Sequence, residues 1–177
     1  KEKITVAQLL SHTSGLGDFF SPAFFETPTD SIQRLADYLP FFMNDPLEFA
    51  PGECFRYSNA GFIVLGLMIE KITQQNYTDY VNEIIFEPLG MDHTGPLSSS
   101  AGGGNSTVSD LHTFALALKE NKLISNESLG LMKTDHGENG YGYGLSLRKL
   151  NAHDIYGHNG GAPGISGEVD IVENSPL

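Results

Sequence analysis

Hydrophobic positions along this chain recur at two different intervals. Up to about residue 137 they follow the three-to-four spacing of helices; beyond it they alternate. Thr5-Val6-Ala7-Gln8 has capping-box spacing and predicts a short helix through Leu10, stopped near Gly15. Residues 17–30 carry Gly, Pro and four Phe, and predict a packed loop. Ser31 to Leu39 predicts a second amphipathic helix, ended by Pro40. Pro46, Pro51 and Gly52 punctuate another irregular stretch. Ser58 or Asn59 then opens a helix to about Thr73. It is apolar nearly all round at Phe62, Ile63, Leu65, Met68 and Ile69, which predicts burial. Tyr77, Tyr80, Val81, Ile84 and Ile85 share one face of a further helix, ended by Pro88-Leu89-Gly90. Gly102 to Asn105 reads as a flexible connection. Thr107 and Asp110 repeat the capping-box pattern before Leu111 to Leu118, and Ser125 opens a short helix to about Met132.

After Gly137 the period is two. Tyr141 to Lys149 and His153 to Gly157 predict a hairpin that turns near Asn151. Ile165, Gly167, Val169 and Ile171 alternate with Ser166, Glu168 and Asp170, which predicts a third strand with one wet face. Helices first and strands later indicate an α+β fold, with residues 1–137 mainly helical and 138–177 forming antiparallel strands.

At 177 residues one domain is the default, and the chain is long enough for a core of its own. Ten basic residues against twenty-two acidic ones give a formal charge of −12, with no Lys/Arg cluster. A nucleic-acid partner is therefore not expected, because phosphate backbones are bound by clustered positive charge. Cys54 is alone, so no internal disulfide framework can form. No apolar run reaches membrane-spanning length.

The chemistry-bearing candidates are few. Tyr57-Ser58-Asn59 places a phenol, a hydroxyl and an amide at a helix start; alone, Tyr57 is equally the residue before a helix and Asn59 equally a helix cap. His158-Asn159-Gly160-Gly161 is either a site or a glycine-rich loop. His12, His93, His112, His136 and His153 show no ligand-like spacing and read as incidental; neither a metal site nor another cofactor is expected. One Ser-x-x-Lys occurs, Ser146-Leu147-Arg148-Lys149. It falls on a predicted strand, where Ser146 and Lys149 point to opposite faces and cannot act together.

Five stretches carry a wider similarity: ITVAQLLSHTSGL, PGECFRYSNAGFIVLGLMIEKIT, IFEPLGMDHTG, AGGGNSTVSDLHTFALAL and GHNGGAPGISG, in that order. With them the chain resembles the serine β-lactamase and penicillin-binding-protein superfamily, on the branch of class C-like β-lactamases, D-alanyl-D-alanine peptidases and related esterases. The resemblance implies a partial β-lactamase/transpeptidase-like fold and three catalytic motifs. Tyr-x-Asn is matched by Tyr57-Ser58-Asn59, and Lys-or-His-x-Gly by His158-Asn159-Gly160. The first motif, a Ser-x-x-Lys bearing the nucleophile, normally precedes ITVAQLLSHTSGL and is expected upstream of Lys1, which makes 1–177 one incomplete domain. Tyr57 would then carry protons, Asn59 would orient the lysine or the substrate's acyl part, and the N–H of Gly161 would serve an oxyanion. Asn159 stands where relatives often have Thr, and His158 where β-lactamases have Lys, which leans towards peptidase or esterase relatives. The implied substrate is a small ester, peptide amide or β-lactam, with the fragment itself inactive. A non-catalytic binding or regulatory relative that keeps the pocket is the alternative. Truncation would bare apolar surface and invite self-association. By analogy the family points to the cell envelope or a secreted location.

Overall fold

The computed structural model describes residues 3–95, 98–162 and 164–174. Pro163, inside the last of the similar stretches, lies outside them, as do Ser175 to Leu177 at the end of the strand region. The chain forms two compact units. One is built from Lys1–Ile84 and Gly95–Asn105, the other from Ile85–Thr94 and Ser106–Leu177. No helix among the described residues is long and apolar enough to cross a membrane.

In the first unit, α1 (Val6–Leu10) starts at Thr5. The Thr5 hydroxyl accepts from the Gln8 amide, and the Gln8 side chain reaches back to the Thr5 N–H, so the capping box is complete. The stretch expected as a packed loop contains α2 (Pro22–Glu26), capped by Ser21, and a 3-10 turn at Thr29–Ser31. Ser21 at the cap and Pro22 at the first helical position are sufficient local signals for so short a helix. The helix expected at Ser31 to Leu39 is instead a 3-10 helix, Leu35–Phe41, with Pro40 inside it. Asp37 sets its start by accepting from the Gln33 and Arg34 amides and from the Arg34 guanidinium. In this i→i+3 winding Leu35 and Tyr38 eclipse and turn inward together, and Phe42, the C-cap, is buried with them.

The long helix of this unit is α3 (Asn59–Thr73). Its cap is Ser58, whose hydroxyl accepts from the Gly61 amide, so Asn59 is the first helical residue and not the cap. Ala60 and Ile63 are fully buried and pack with Phe19, Leu35, Tyr38 and Phe42. Burial is one-sided, however. Met68 and Ile72 are exposed, so the all-round apolar pattern overstates how much of α3 is covered. Beyond it along the chain come α4 (Tyr77–Val81), a π-helical turn at Asn82–Phe86 and, in the residues of the second unit, α5 (Glu87–Leu89), which ends at Gly90 in the left-handed region. The single helix expected over this stretch is thus wound in two registers.

In the second unit, α6 (Val108–Lys119) and α7 (Asn126–Met132) start at Thr107 and Ser125. Only half of the expected Thr107/Asp110 box forms. The Thr107 hydroxyl accepts from the Asp110 amide, but the buried Asp110 carboxylate accepts from the His93 N–H and the Thr94 hydroxyl instead of turning back. Three strands follow: β1 (Ser146–Leu150), β2 (His153–Ala162) and β3 (Ile165–Val172), an antiparallel sheet in sequence order. The β1–β2 turn is Asn151-Ala152, both with positive φ, between the paired Leu150 and His153. Leu145, Tyr156 and Ile171 pack on Ala115, Leu118 and Leu129, so one sheet face forms a core with α6 and α7. Across the sheet Arg148 pairs with Glu168 and Asp170. Ser146 and Lys149 are both on β1, the strand location expected for that Ser-x-x-Lys, with Lys149 paired to Asp154.

Candidate functional site

The expected site residues fall into two local assemblies. Tyr57 and Asn59 sit at the N-terminus of α3; His158, Asn159, Gly160 and Gly161 lie on β2.

At the start of α3 the side chain of Ser58 is consumed by structure. It is buried, its hydroxyl donates to the Gly17 carbonyl at 2.7 Å, and the same oxygen accepts from Gly61 at 3.3 Å. An alcohol so committed is a cap, not a nucleophile. Asn59 is held by Asp18, whose Oδ2 accepts from both the Asn59 main-chain N–H and its side-chain Nδ2, each at 2.8 Å; Asp18 Oδ1 accepts from the Phe19 amide at 2.7 Å. With the amide nitrogen fixed on a carboxylate, the Asn59 Oδ1 is oriented as an acceptor, the polarity that a cation or a substrate N–H requires.

Tyr57 is 44% exposed. Burial of the rest of the side chain, and then the charge of Asp18, raise its phenol above the ordinary value, because both disfavour the phenolate. Its ring lies against that of His12, centroids 4.1 Å apart and tilted by 34°. His12 is not incidental. It is 1% exposed, and its Nδ1 accepts from the Ser58 N–H at 3.1 Å. A ring nitrogen that accepts carries no proton, so the imidazole is neutral with its hydrogen on Nε2. Both Asp18 and His12 were missed by the sequence reading: they act from 41 and 46 residues away, a separation no local pattern spans.

On the sheet, His158 to Gly161 are strand residues, paired with β3 as His158↔Val169, Asn159↔Glu168, Gly160↔Gly167 and Gly161↔Ser166. The glycine-rich-loop reading is corrected accordingly. β1 reaches only as far as Gly157, so from Asn159 onward β2 has β3 on one side and, among the described residues, no strand on the other. A Cβ placed on Gly160 would meet nothing within 4 Å, which leaves room for another group to approach the strand closely. His158 Nδ1 lies 2.6 Å from the Asn159 carbonyl, which only accepts, so Nδ1 carries the proton. In the neutral ring Nε2 then accepts from the hydroxyl of Tyr141 at 3.0 Å. Tyr141 is buried and also went unrecognised in the sequence, where it stood only for the start of a strand.

A family model described as Beta-lactamase matches residues 1–172. Protein flp of Staphylococcus aureus (strain MW2) is 40% identical over 93 residues, 52% of this chain and 18% of that protein. Penicillin-binding protein 4* of Bacillus subtilis (strain 168) is 29% identical over 213 aligned residues, 92% of this chain and 47% of that one. Among solved structures, a penicillin binding protein from Bacillus halodurans matches with a TM-score of 0.89 at 28% identity, over 97% of this chain and 65% of that one. A D-stereospecific amidohydrolase from Streptomyces sp. matches with a TM-score of 0.82 at 28% identity, over 96% and 64%. The chain thus spans less than half the length of these two curated relatives and under two thirds of the amidohydrolase structure. The chain belongs to the Beta-lactamase family, within the penicillin-binding-protein-like superfamily of serine hydrolases, and has its α+β fold.

Proposed function

We propose that the chain is part of a serine hydrolase that forms an acyl-enzyme on ester, amide or β-lactam substrates, with the acylating Ser-x-x-Lys outside these 177 residues. The observation that carries this reading is the Tyr57-Ser58-Asn59 turn. A buried capping serine fixes the helix start, Asn59 is oriented by Asp18, and the phenol of Tyr57 is left half-exposed at the helix mouth. The two units are read as parts of one incomplete domain, which the run of the family model over both supports.

In the proposed acylation the serine oxygen attacks the substrate carbonyl carbon, and its proton passes to the Tyr57 phenolate. The tetrahedral intermediate then collapses, the carbonyl–leaving-group bond breaks, and the phenol returns the proton to the leaving group. A phenol raised by burial and by Asp18 does not ionise unaided near neutrality. A cation beside it is therefore required, and the lysine of Ser-x-x-Lys would supply one, with Asn59 Oδ1 to hold it. The N–H of Gly161 on β2 would donate to the oxyanion, and the open space at Gly160 is consistent with a clear approach. His158, set by Tyr141, takes the place of a Lys, and Asn159 of a Thr; both favour an amide or ester over a β-lactam with its carboxylate.

The test reacts fluorophosphonate and labelled penicillin with this chain and with the product of the uninterrupted coding region. The expected result is no adduct on the chain and one on the serine of an upstream Ser-x-x-Lys, lost or strongly slowed by Tyr57→Phe. An adduct mapped to an internal residue of the chain, or a coding region without an upstream Ser-x-x-Lys, refutes the reading, and the latter outcome favours a binding protein.

A further inference from the structure

We propose that His12 is a positioning residue for Tyr57. Its main-chain carbonyl and its imidazole grip the peptide on both sides of the phenol, and its ring is the surface on which the phenol rests. The inference rests on the reading of Tyr57 as the proton carrier and adds to it a residue that touches no substrate.

Three contacts converge. The Arg56 N–H donates to the His12 carbonyl at 2.9 Å. The Ser58 N–H donates to His12 Nδ1 at 3.1 Å. The Tyr57 ring lies on the imidazole, 4.1 Å between centroids. The N–H groups of the residues before and after Tyr57 are thus anchored by one residue, which limits the swing of the backbone that would carry the phenol with it. The ring contact then restricts the side-chain torsions. Phe62, 5.2 Å away, and Phe55, edge-on at 6.0 Å, enclose the imidazole, so its grip operates out of solvent.

Histidine meets three requirements at once. His12 has φ of +56°, a region that Asn, Asp and His enter more readily than other side chains. It supplies an unprotonated acceptor at the δ position. It also supplies a flat aromatic face. Asn would satisfy the first two requirements and Phe only the third. Proton transfer needs heavy atoms within hydrogen-bond reach, and a displacement of about 1 Å at such a site costs on the order of a hundredfold in rate.

The experiment uses the 177-residue chain, isotope-labelled for NMR, with Tyr57 assigned by comparison with Tyr57→Phe. In the parent chain, magnetisation transfer between the His12 and Tyr57 rings is expected, together with a His12 Nδ1 signal of an unprotonated nitrogen. Two variants separate the contacts. His12→Asn keeps an acceptor, so Ser58 amide exchange should stay within about threefold of the parent, while the Tyr57 ring signals move towards those of an exposed tyrosine. His12→Phe keeps a ring but should raise Ser58 amide exchange about tenfold, the worth of one hydrogen bond. Methyl signals of Leu9 and Ile63 should hold in both, which a role in general packing would not leave untouched. In the coding-region product, His12→Asn should slow acylation about ten- to a hundredfold with little change in substrate affinity. The inference is overturned if the parent lacks the ring-to-ring transfer, or if both variants fold and leave Tyr57 and Ser58 unmoved. The parent measurement decides the matter even if the variants do not fold. Unchanged acylation in Tyr57→Phe would instead overturn the catalytic reading of Tyr57, a separate outcome.

Discussion

Replacing Asp18 by Ala removes one carboxylate that accepts three hydrogen bonds: two from Asn59 and one from Phe19. Bonds to a charged acceptor contribute about 1.5–3 kcal/mol each, but Asp18 and Asn59 are only partly buried and water replaces some of that. The carboxylate also sits on the first amide of α3, where a negative charge favours the helix by up to about 1 kcal/mol. Together these give a loss of about 3 kcal/mol. With a urea dependence near 2 kcal/mol per molar, the unfolding midpoint should fall by about 1.5 M at unchanged slope. A second readout is independent of stability. Removing the Asp18 charge takes away one of the two causes that raise the Tyr57 phenol, so its titration should move down, yet remain above the ordinary value because burial persists. Ultraviolet titration of the parent and of Asp18→Ala, each with and without Tyr57→Phe, isolates that phenol. A midpoint within about 0.2 M of the parent, combined with an unmoved Tyr57 titration, would refute the argument that Asp18 holds the start of α3.

Ile63 is fully buried among Phe19, Leu35 and Tyr38, so Ile63→Ala should cost about 2–5 kcal/mol in denaturant unfolding; a loss below about 1 kcal/mol would show that the site collapses freely. Gly15 has φ of +77°, and a Cβ there would collide with the Phe49 carbonyl, so Gly15→Ala should cost at least about 1–3 kcal/mol by the same assay. Burial and then the charge of Glu173 push the Tyr156 phenol up to about 12, against 10.0 unperturbed. Above pH ~10 the unfolded chain therefore gives up this proton while the native one retains it. The contribution is full below pH ~10 and falls by about 2–3 kcal/mol as the pH rises through 12, so thermal melts should show a steeper decline in the parent than in Tyr156→Phe, where the other raised phenols still titrate. Phe20, Phe25, Ile72, Val108 and Ile165 are exposed, and β3 has β2 as its one strand partner among the described residues, so the chain should self-associate and bind a hydrophobic dye. Sedimentation of a dilution-resistant monomer without dye binding counts against this.

What was legible in the chain follows the range of the interactions. Caps act over three residues, and Thr5, Ser58, Thr107 and Ser125 do cap the helices they were expected to open. Alternation acts over two, and it found all three strands, but β1 begins only at Ser146, five residues later than expected, and β2 runs on past Gly157 to Ala162 through glycines that carry no alternating pattern. The failures involve competition. Asp110 had the right spacing for a reciprocal box, but the His93 amide and Thr94 hydroxyl took its carboxylate. Pro40 was expected to end a helix, yet 3-10 winding carries it inside one. The catalytic-motif candidates were readable by resemblance, whereas their supports were not. His12, Asp18 and Tyr141 look ordinary in their own neighbourhoods, and their partners are contributed by distant strands and turns.

The two-residue turn between β1 and β2 bears on how the sheet is assembled. Ala152 holds φ of +71°, a conformation that its methyl group resists and that glycine adopts without penalty. The hairpin is therefore nucleated less readily than an Asn-Gly corner would allow, and pairing must be secured from the strand interiors outward. Here a smaller residue would quicken folding: trimming one methyl group should hasten zippering of the sheet while leaving every packed side chain as it is.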